Sequence, residues 1–359
     1  MKKIIFITRN LKAGGAERVI VQLAGYFVKE NIDCTIITLN KDEVFYDINK
    51  DIKIYSIGKI SNSKIIDKYK RYKLIRTYVK SIKPDIILAL PEEVGIYVIP
   101  ALLCTGIPVV VSERNNPWVM PWKKVTRLFR KIFYPFASGI IFQTEQAASF
   151  FSKRVRKKGI VLPNPLDLSR IPEPITFPRR KEIVGAGRLE KQKNFPLLLK
   201  AFAKFYKVHP DYTLTIYGEG SLMEELKALA SSLLPCEAYS FKGNSKDLLN
   251  QINGATMFVL SSDYEGMPNV LIEAMSLGLP VIATDCPAGG PAKLIKNEVN
   301  GILVEVGDEE GLSNAMRRII EDVKLRERLS NNAIRIRDLL NSDRVAKQWR
   351  EYLEECCRK

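Results

Sequence analysis

Short runs of Ile, Val and Phe alternate along nearly the whole chain with amphipathic segments of helical length. Strands that are apolar on both faces belong to parallel sheets, because connecting helices cover both sides of such a sheet. In the first half this pattern predicts strands at residues 3–8, 34–39, 52–57, 85–89, 108–111 and 139–142. Helices are expected between them at residues 16–28, 65–81, 93–104 and 122–136. The alternation stops at residues 162–178, which hold Pro163, Pro165, Pro172, Pro174 and Pro178. Each proline removes a backbone donor, so this stretch reads as a connector. The pattern then restarts, with strands at residues 182–187, 213–217, 238–241, 257–260 and 281–284 and helices at 196–208, 222–234 and 270–277. Residues from 309 onward read as almost entirely helical.

A chain of 359 residues is long enough for two such domains, each with its own core. With 46% hydrophobic and 27% charged residues it belongs to the globular class. The longest apolar stretch, residues 86–111, is broken by Pro91, Glu92, Glu93 and Pro100, so it is not a spanning helix. The opening MKKIIFITRN is too short in apolar residues for a signal peptide and reads as a first strand. The six cysteines have neither metal-ligand spacing nor a disulfide framework. With His209 as the only histidine, no metal site is expected, and a reducing cytoplasm suits the thiols.

Charge is distributed unevenly. Residues 1–170 hold 30 Lys and Arg against 14 Asp and Glu, an excess equal to the whole chain's +16, so the remainder is neutral. A basic half attracts polyanions or an anionic membrane surface.

The densest chemistry lies in DYEGMPNVLIEAMSLGLPVIATDCPAGGP, which begins at Asp263. Glu265 falls in a turn-prone segment, and Glu273 falls in a short apolar helix that Pro268 can start. The N–H groups of Gly266, Met267, Asn269 and Val270 then gather at a helix N-terminus, which attracts phosphate. An anion cradle flanked by two acids suits a sugar nucleotide. Upstream, Arg188 and Lys193 bracket the loop after the strand that ends at Gly187, with Asn194 opening the next helix. Guanidinium and ammonium groups there would meet a diphosphate. Gly218 and Gly243 follow the next two strands and allow close backbone approach, with Phe241 presenting backbone groups to a base.

In the first half, Gly14 and Gly15 follow the first strand and allow approach of a sugar phosphate, with Arg18 facing outward one turn later. A polar cluster, SERNNP, follows the fifth strand and offers Arg114, Asn115 and Asn116. Beyond it, the segment from Trp122 to Phe133 has bases at Lys123, Arg127, Arg130 and Lys131. Its apolar residues are Trp122, Val125, Phe129, Ile132 and Phe133. That pattern suits either a helix lying in a membrane interface or one packed on its own sheet. Lys64, Lys68, Lys70, Arg71, Lys73 and Arg76 repeat the basic theme on an earlier helix.

Taken together, GGAERV, LPNPLD, GRLEKQKN, YGEG, EGMPNVLIE and GGP resemble the retaining glycosyltransferases of family four. SERNNP and TDCPAGGP further resemble bacterial enzymes that add hexose or N-acetylhexosamine to O-antigen, capsule or lipid-linked glycan precursors. The resemblance implies the GT-B fold: two Rossmann-like domains facing across a cleft, residues 1–163 for the acceptor and 164–340 for the nucleotide sugar. A final helix at about 341–359 would return to the first domain. It also implies a UDP-sugar donor, UDP-hexose or UDP-N-acetylhexosamine, used without metal or other cofactor. By the same resemblance Arg188, Lys193 and Glu265 carry catalysis, the first two on the diphosphate and Glu265 on donor-sugar hydroxyls, while Glu273 takes the ribose. Many relatives place a histidine near the donor sugar in the first domain. This chain has none there, and Arg114 and Asn115 are candidates to replace it. The implied setting is peripheral, on the inner face of the plasma membrane, with a polyprenyl-diphosphate-linked acceptor.

Two other classes compete. A +16 chain suits RNA, but it lacks the recognition modules of nucleic-acid binders. A nucleotide-sugar epimerase or phosphorylase on the same fold is the other, and the glutamate pair together with LPNPLD argues against it.

Overall fold

The computed structural model describes residues 1–12, 14–175 and 178–358. They form two compact units, one of Met1–Pro165 with the C-terminal segment from Ser342, the other Leu166–Asn341. Thr176 and Phe177, inside the proline-rich stretch, lie outside the described residues.

The first unit is a parallel sheet of β1 (Lys3–Thr8), β2 (Asp33–Thr38), β3 (Lys53–Ser56), β4 (Ile86–Ala89), β5 (Val109–Ser112), β6 (Gly139–Phe142) and β7 (Gly159–Val161). Its order is β3-β2-β1-β4-β5-β6-β7, so the winding reverses between β1 and β4. Four helices recur below: α1 (Gly15–Lys29), α2 (Lys64–Ile82), α3 (Glu92–Leu102) and α4 (Lys124–Phe133). Strand alternation divides the core in two. Ile4, Phe6, Leu88 and Val110 pack toward α1 and the C-terminal helix, and Ile5, Ile7, Ile87 and Val111 pack toward α2 and α3.

The C-terminal helix Ser342–Arg358 belongs to this unit because Val345, Ala346, Trp349, Leu353 and Cys356 recur at helical spacing and are buried in its core. Trp349 is fully buried, and its Nε1 donates to the Pro163 carbonyl at 3.0 Å. The Ile140 N–H donates to the Tyr352 hydroxyl at 2.9 Å.

The second unit has β8 (Arg180–Ala186), β9 (Thr213–Tyr217), β10 (Tyr239–Gly243), β11 (Ala255–Leu260), β12 (Val281–Thr284) and β13 (Ile302–Val304). All pairs are parallel in the order β10-β9-β8-β11-β12-β13, with the reversal between β8 and β11. In open parallel sheets, ligands bind beyond the carboxyl ends of the strands at such a reversal.

Several elements differ from the sequence expectation. The short edge strands β7 and β13 were not expected; three residues are too few for an alternation to register. Residues 134–136 form a separate 3₁₀ turn after α4. The tail is broken at Asp322, whose carboxylate accepts the Leu325 N–H at 2.9 Å and caps a new helix. Pro268 occupies the N-cap rather than the first turn of the helix Asn269–Ser276. Among the described residues, no helix is long and apolar enough to cross a membrane.

Trp349→Ala should destabilise the first unit by about 3–5 kcal/mol, because a large buried side chain and a hydrogen bond go together. Leu128→Ala, at an exposed position, should stay within about 0.5 kcal/mol. Urea midpoints at unchanged slope test the contrast.

Candidate active site

In the second unit, the loops after β8 and β11 flank the reversal of the sheet and are tied together side chain to side chain. Lys193 Nζ lies 2.5 Å from Glu265 Oε1, with only 12% and 8% of the two side chains exposed. The Ser262 hydroxyl donates to the same carboxylate oxygen at 2.7 Å. Gln192 Nε2 donates to the Tyr264 carbonyl at 3.0 Å and reaches Glu265 Oε2 at 3.4 Å. Asn194 Nδ2 donates to Asp263 at 2.7 Å, while the Asn194 side-chain oxygen accepts the Leu197 N–H and caps the helix Phe195–Tyr206. Spacing gave no sign of Gln192, Ser262 or Asp263, since each acts on a partner some seventy residues away or on its own tight turn.

Glycines let these loops close on one another. A Cβ on Gly218 would stand 1.9 Å from the Gly187 carbonyl oxygen, and one on Gly290 would stand 1.7 Å from that of Gly266. Gly187 N–H donates to Tyr217 O, and Gly218 N–H donates to Gly243 O. The loops after β8, β9, β10, β11 and β12 therefore touch through backbone, which brings Gly187, Lys193, Asn194, Gly218, Gly243, Glu265 and Gly266 together at one end of the sheet. Met267, Pro268, Asn269 and Val270 follow at the entry to the helix Asn269–Ser276, and Pro268 provides no side-chain cap. Helix entry N–H groups in that position have affinity for an anion.

Arg188 is exposed at the rim of this cluster, close enough to Tyr264 and Glu190 to act on both electrostatically. Glu273 is buried inside the helix. The Phe241 side chain packs against the hydrophobic core, leaving its backbone within β10. The Cys286 thiol beside Glu265 and Lys193 is pushed up to about 12 by burial, so it stays protonated at neutral pH.

The candidates of the first unit are held more by their own fold. Gly15 opens α1 and is exposed. The preceding Gly14 is clamped by Tyr46, whose hydroxyl accepts the Gly14 N–H at 2.8 Å and donates to its carbonyl at 2.7 Å. Arg18 is half-buried beside Tyr46 rather than facing outward. Arg114 Nη2 donates to Asn164 Oδ1 at 2.6 Å, and its guanidinium lies over the Trp349 ring. Burial pulls Arg114 down to about 10. Asn115 accepts the Asn116 N–H at 2.8 Å and Asn116 accepts the Trp118 N–H at 3.0 Å, so both shape their own loop.

Beneath that loop lies a buried ionic group. Glu113 meets Arg130 at 3.4 Å and accepts from Tyr134 at 2.5 Å. Arg130 also donates to the Pro117 and Met120 carbonyls, at 2.6 and 2.8 Å. Arg130, counted on the basic outer face of α4 from sequence, therefore points inward. Glu92, at the start of α3, is buried; desolvation and then the neighbouring Glu113 push it up to about 7.

A cavity of about 210 Å³ lies where the first sheet reverses, lined by Arg9, Leu39, Asn40, Arg71, Glu93, Val94 and Tyr97. Arg9 pairs with Glu93 across the reversal. None of these residues carried a motif, because the cavity is assembled from β1, the end of β2, α2 and α3. Among the described residues, no group of three or more His, Cys, Asp or Glu is placed to hold a metal ion.

Comparison with known proteins accounts for nearly all of this architecture. Residues 13–170 match the family described as Glycosyltransferase Family 4, and residues 170–336 match Glycosyl transferases group 1. An α-1,4-N-acetyl-D-galactosaminyltransferase of Campylobacter jejuni, named for an undecaprenol-diphosphate-linked GalNAc acceptor, is 28% identical, with 99% of each chain covered. Anabaena HepE, solved with UDP and glucose, superposes with a TM-score of 0.82 at 18% identity, covering 99% of this chain and 100% of that one. Sucrose-phosphate synthase of Thermosynechococcus elongatus superposes with a TM-score of 0.85 at 19% identity and 99% coverage of each. At those identities the two structures speak for the fold.

Two outcomes follow from the geometry. Gly218→Ala should open the loop cluster and destabilise the second unit, because the Cβ would have to displace backbone; a lowered melting temperature together with weakened nucleotide binding reads this. For Glu92 the folded chain keeps a proton that the unfolded chain releases near pH 4.5. The stability gained from that proton is full below this range and is lost as pH rises through about 7. Glu92→Gln should therefore match the wild type below about pH 4 and exceed it at pH 8 by up to about 3 kcal/mol in denaturant titrations.

Proposed function

Since the chain belongs to the family-four glycosyltransferases of GT-B fold, we propose that it is a retaining enzyme. It moves a hexose or N-acetylhexosamine from a UDP-sugar to a polyprenyl-diphosphate-linked glycan in the making of bacterial surface polysaccharide. The observation that carries the reading is the Lys193–Glu265 pair across the β8/β11 reversal, next to the helix entry at Asn269. That reversal is where a nucleotide binds in a doubly wound sheet.

In this reading the second unit holds the donor. Lys193, Arg188 and the N–H groups before Val270 carry the diphosphate, the loops at Gly187, Gly218 and Gly243 admit the nucleotide, and Glu273 takes the ribose. Glu265 leaves Lys193 to grip donor-sugar hydroxyls, while Lys193 exchanges a carboxylate for a phosphate. Substitution proceeds at the front face: the acceptor hydroxyl attacks the anomeric carbon on the side from which the diphosphate departs. A donor phosphate oxygen takes the hydroxyl proton, and the bond from the anomeric carbon to the diphosphate breaks with its electron pair going to UDP. No protein nucleophile is required, which agrees with Cys286 remaining a thiol. Positioned charge on the leaving group is worth about 3 kcal/mol per contact, roughly a hundredfold in rate.

The first unit takes the acceptor. The cavity at its own sheet reversal offers Arg9, Asn40, Arg71 and Tyr97 to a glycan, and Arg18, Arg114, Asn115 and Asn116 shape the loops beside that end of the sheet. The net charge of this half suits work at the inner face of the plasma membrane.

Glu265→Ala and Lys193→Ala should each lower UDP release from UDP-hexose or UDP-N-acetylhexosamine about a hundredfold or more. Each should also lose stability through the charge left unpaired. The double variant should regain stability but not turnover. Wild-type turnover in purified Glu265→Ala removes Glu265 from the mechanism.

A further inference from the structure

α4 is packed inside out. Its only fully buried residue is Arg130, which turns inward to Glu113 and two loop carbonyls. Apart from Phe133 at its end, which packs on the core, its large apolar residues stand in solvent instead: Val125 is 62% exposed and Leu128 55%, with Phe129 and Ile132 also exposed and Trp122 just before the helix at 63%. A helix covering its own sheet would bury these residues and expose the arginine. The patch continues onto α2, whose buried residues are Ile75 and Val79 and whose other core contacts, Tyr72, Tyr78 and Ile82, all lie beyond its first two turns. In its first two turns Ile65 is 83% exposed, and Ile66 and Tyr69 are exposed with it. Lys68 ties the two helices together, its Nζ lying 5.6 Å from the ring centres of both Tyr72 and Phe129.

Exposed apolar surface on this scale calls for an occupant, and the charges around it state which kind. Lys64, Lys70 and Lys73 on α2 and Lys123, Lys124 and Lys131 on or beside α4 are exposed on the same two helices, with Arg127 half-buried among them. The one acid in those stretches, Asp67, is already paired with Arg71 at 2.8 Å. A second copy of the chain would set this basic field against itself. We propose that the α2–α4 face inserts into the interfacial layer of a bilayer rich in anionic phospholipid. Trp122, Val125, Leu128, Ile132 and Ile65 enter the acyl boundary, and the lysines reach back to the phosphates. The Glu113–Arg130 pair is the device that holds the helix in this orientation. This deepens the reading of a lipid-linked acceptor and rests on it for its purpose, but binding is measurable without any transfer reaction.

The chain's three tryptophans make insertion visible, because Trp122 is exposed at this face, Trp118 is exposed in the loop before it and Trp349 is buried in the core. Full-length protein mixed with phosphatidylglycerol/phosphatidylethanolamine vesicles should co-sediment, shift its tryptophan emission to the blue and be quenched by lipids brominated along the acyl chain. Phosphatidylcholine vesicles should give at least tenfold weaker binding. The triple variant Val125→Gln, Leu128→Gln, Ile132→Gln leaves formal charge unchanged. It should lose about tenfold or more in vesicle affinity, while releasing UDP at the wild-type rate with a water-soluble, short-chain acceptor. Equal binding to both vesicle types, wild-type affinity in the triple variant, or binding without quenching would each overturn the proposal. So would a concentration-dependent dimer in gel filtration that the triple variant abolishes, or capture of the face by a polyacidic protein in preference to vesicles. Inactivity toward every acceptor with vesicle binding intact would instead strike the reaction assigned above.

Discussion

The contact between Lys193 and Glu265 ties together the two loops on which the second unit's candidate site is built. An ion pair with so little solvent around it gains much of its strength from the low local dielectric, and removing either partner strands a charge. Its position follows from topology. β8 and β11 are neighbours in the sheet but distant in sequence, so the loops leaving them diverge unless something joins them. Ser262 and Gln192 hold the carboxylate from two sides, and Asn194–Asp263 repeats the join one step away. The glycines then set how near the loops come. At Gly218 and Gly290 the neighbour is backbone carbonyl rather than a flexible side chain, so a methyl group there has nowhere to go.

The first unit uses the same arrangement for a different end. Its sheet also reverses once, and there too an ion pair, Arg9 with Glu93, joins the loops that part. The pair borders open space instead of closing it, which leaves a cavity. Deeper in the same unit, Glu113, Arg130 and Tyr134 form a buried polar group. Burying Arg130 is costly unless every N–H is answered, and the Pro117 and Met120 carbonyls answer two of them. The consequence reaches the surface. Once α4 is pinned by its arginine, only Phe133 of its apolar stripe reaches the core.

Much of the fold was legible because it depends on composition over short windows. Continuous apolar strands such as Ile86–Ala89 and Val281–Thr284 announce a parallel sheet whatever their neighbours. The candidate-site loops of the second unit were legible for a related reason: Gly187 and Gly218 follow a strand end at once, and Lys193 and Glu265 stand in the loops that β8 and β11 open. What was not legible depends on partners far apart in sequence. Gln192 and Ser262 are ordinary polar residues until the sheet brings Glu265 between them. Arg130 has the spacing of an outward base, and only Glu113, placed by the end of β5, turns it inward. The cavity residues Arg9, Asn40 and Tyr97 belong to three elements with no shared motif. Arg114 and Asn116 stood out as a polar cluster, yet their side chains are taken up by Asn164 and by the loop itself.

A pre-formed Lys193–Glu265 pair bears on how an anionic donor can be bound at all. A lone buried lysine would tend to lose its proton, and a lone buried glutamate would repel a diphosphate. Paired, the two are neutral together and keep the loops in place before any ligand arrives. On the proposed reading the diphosphate takes over the ammonium, and the freed carboxylate meets hydroxyl groups, which replace the donor it has lost. Each group changes partner without either being left bare. A sugar nucleotide satisfies both ends of that exchange. A free nucleotide satisfies only the lysine end and leaves Glu265 beside a phosphate. On that reading, discrimination in favour of the intact donor rests on the carboxylate rather than on the cation.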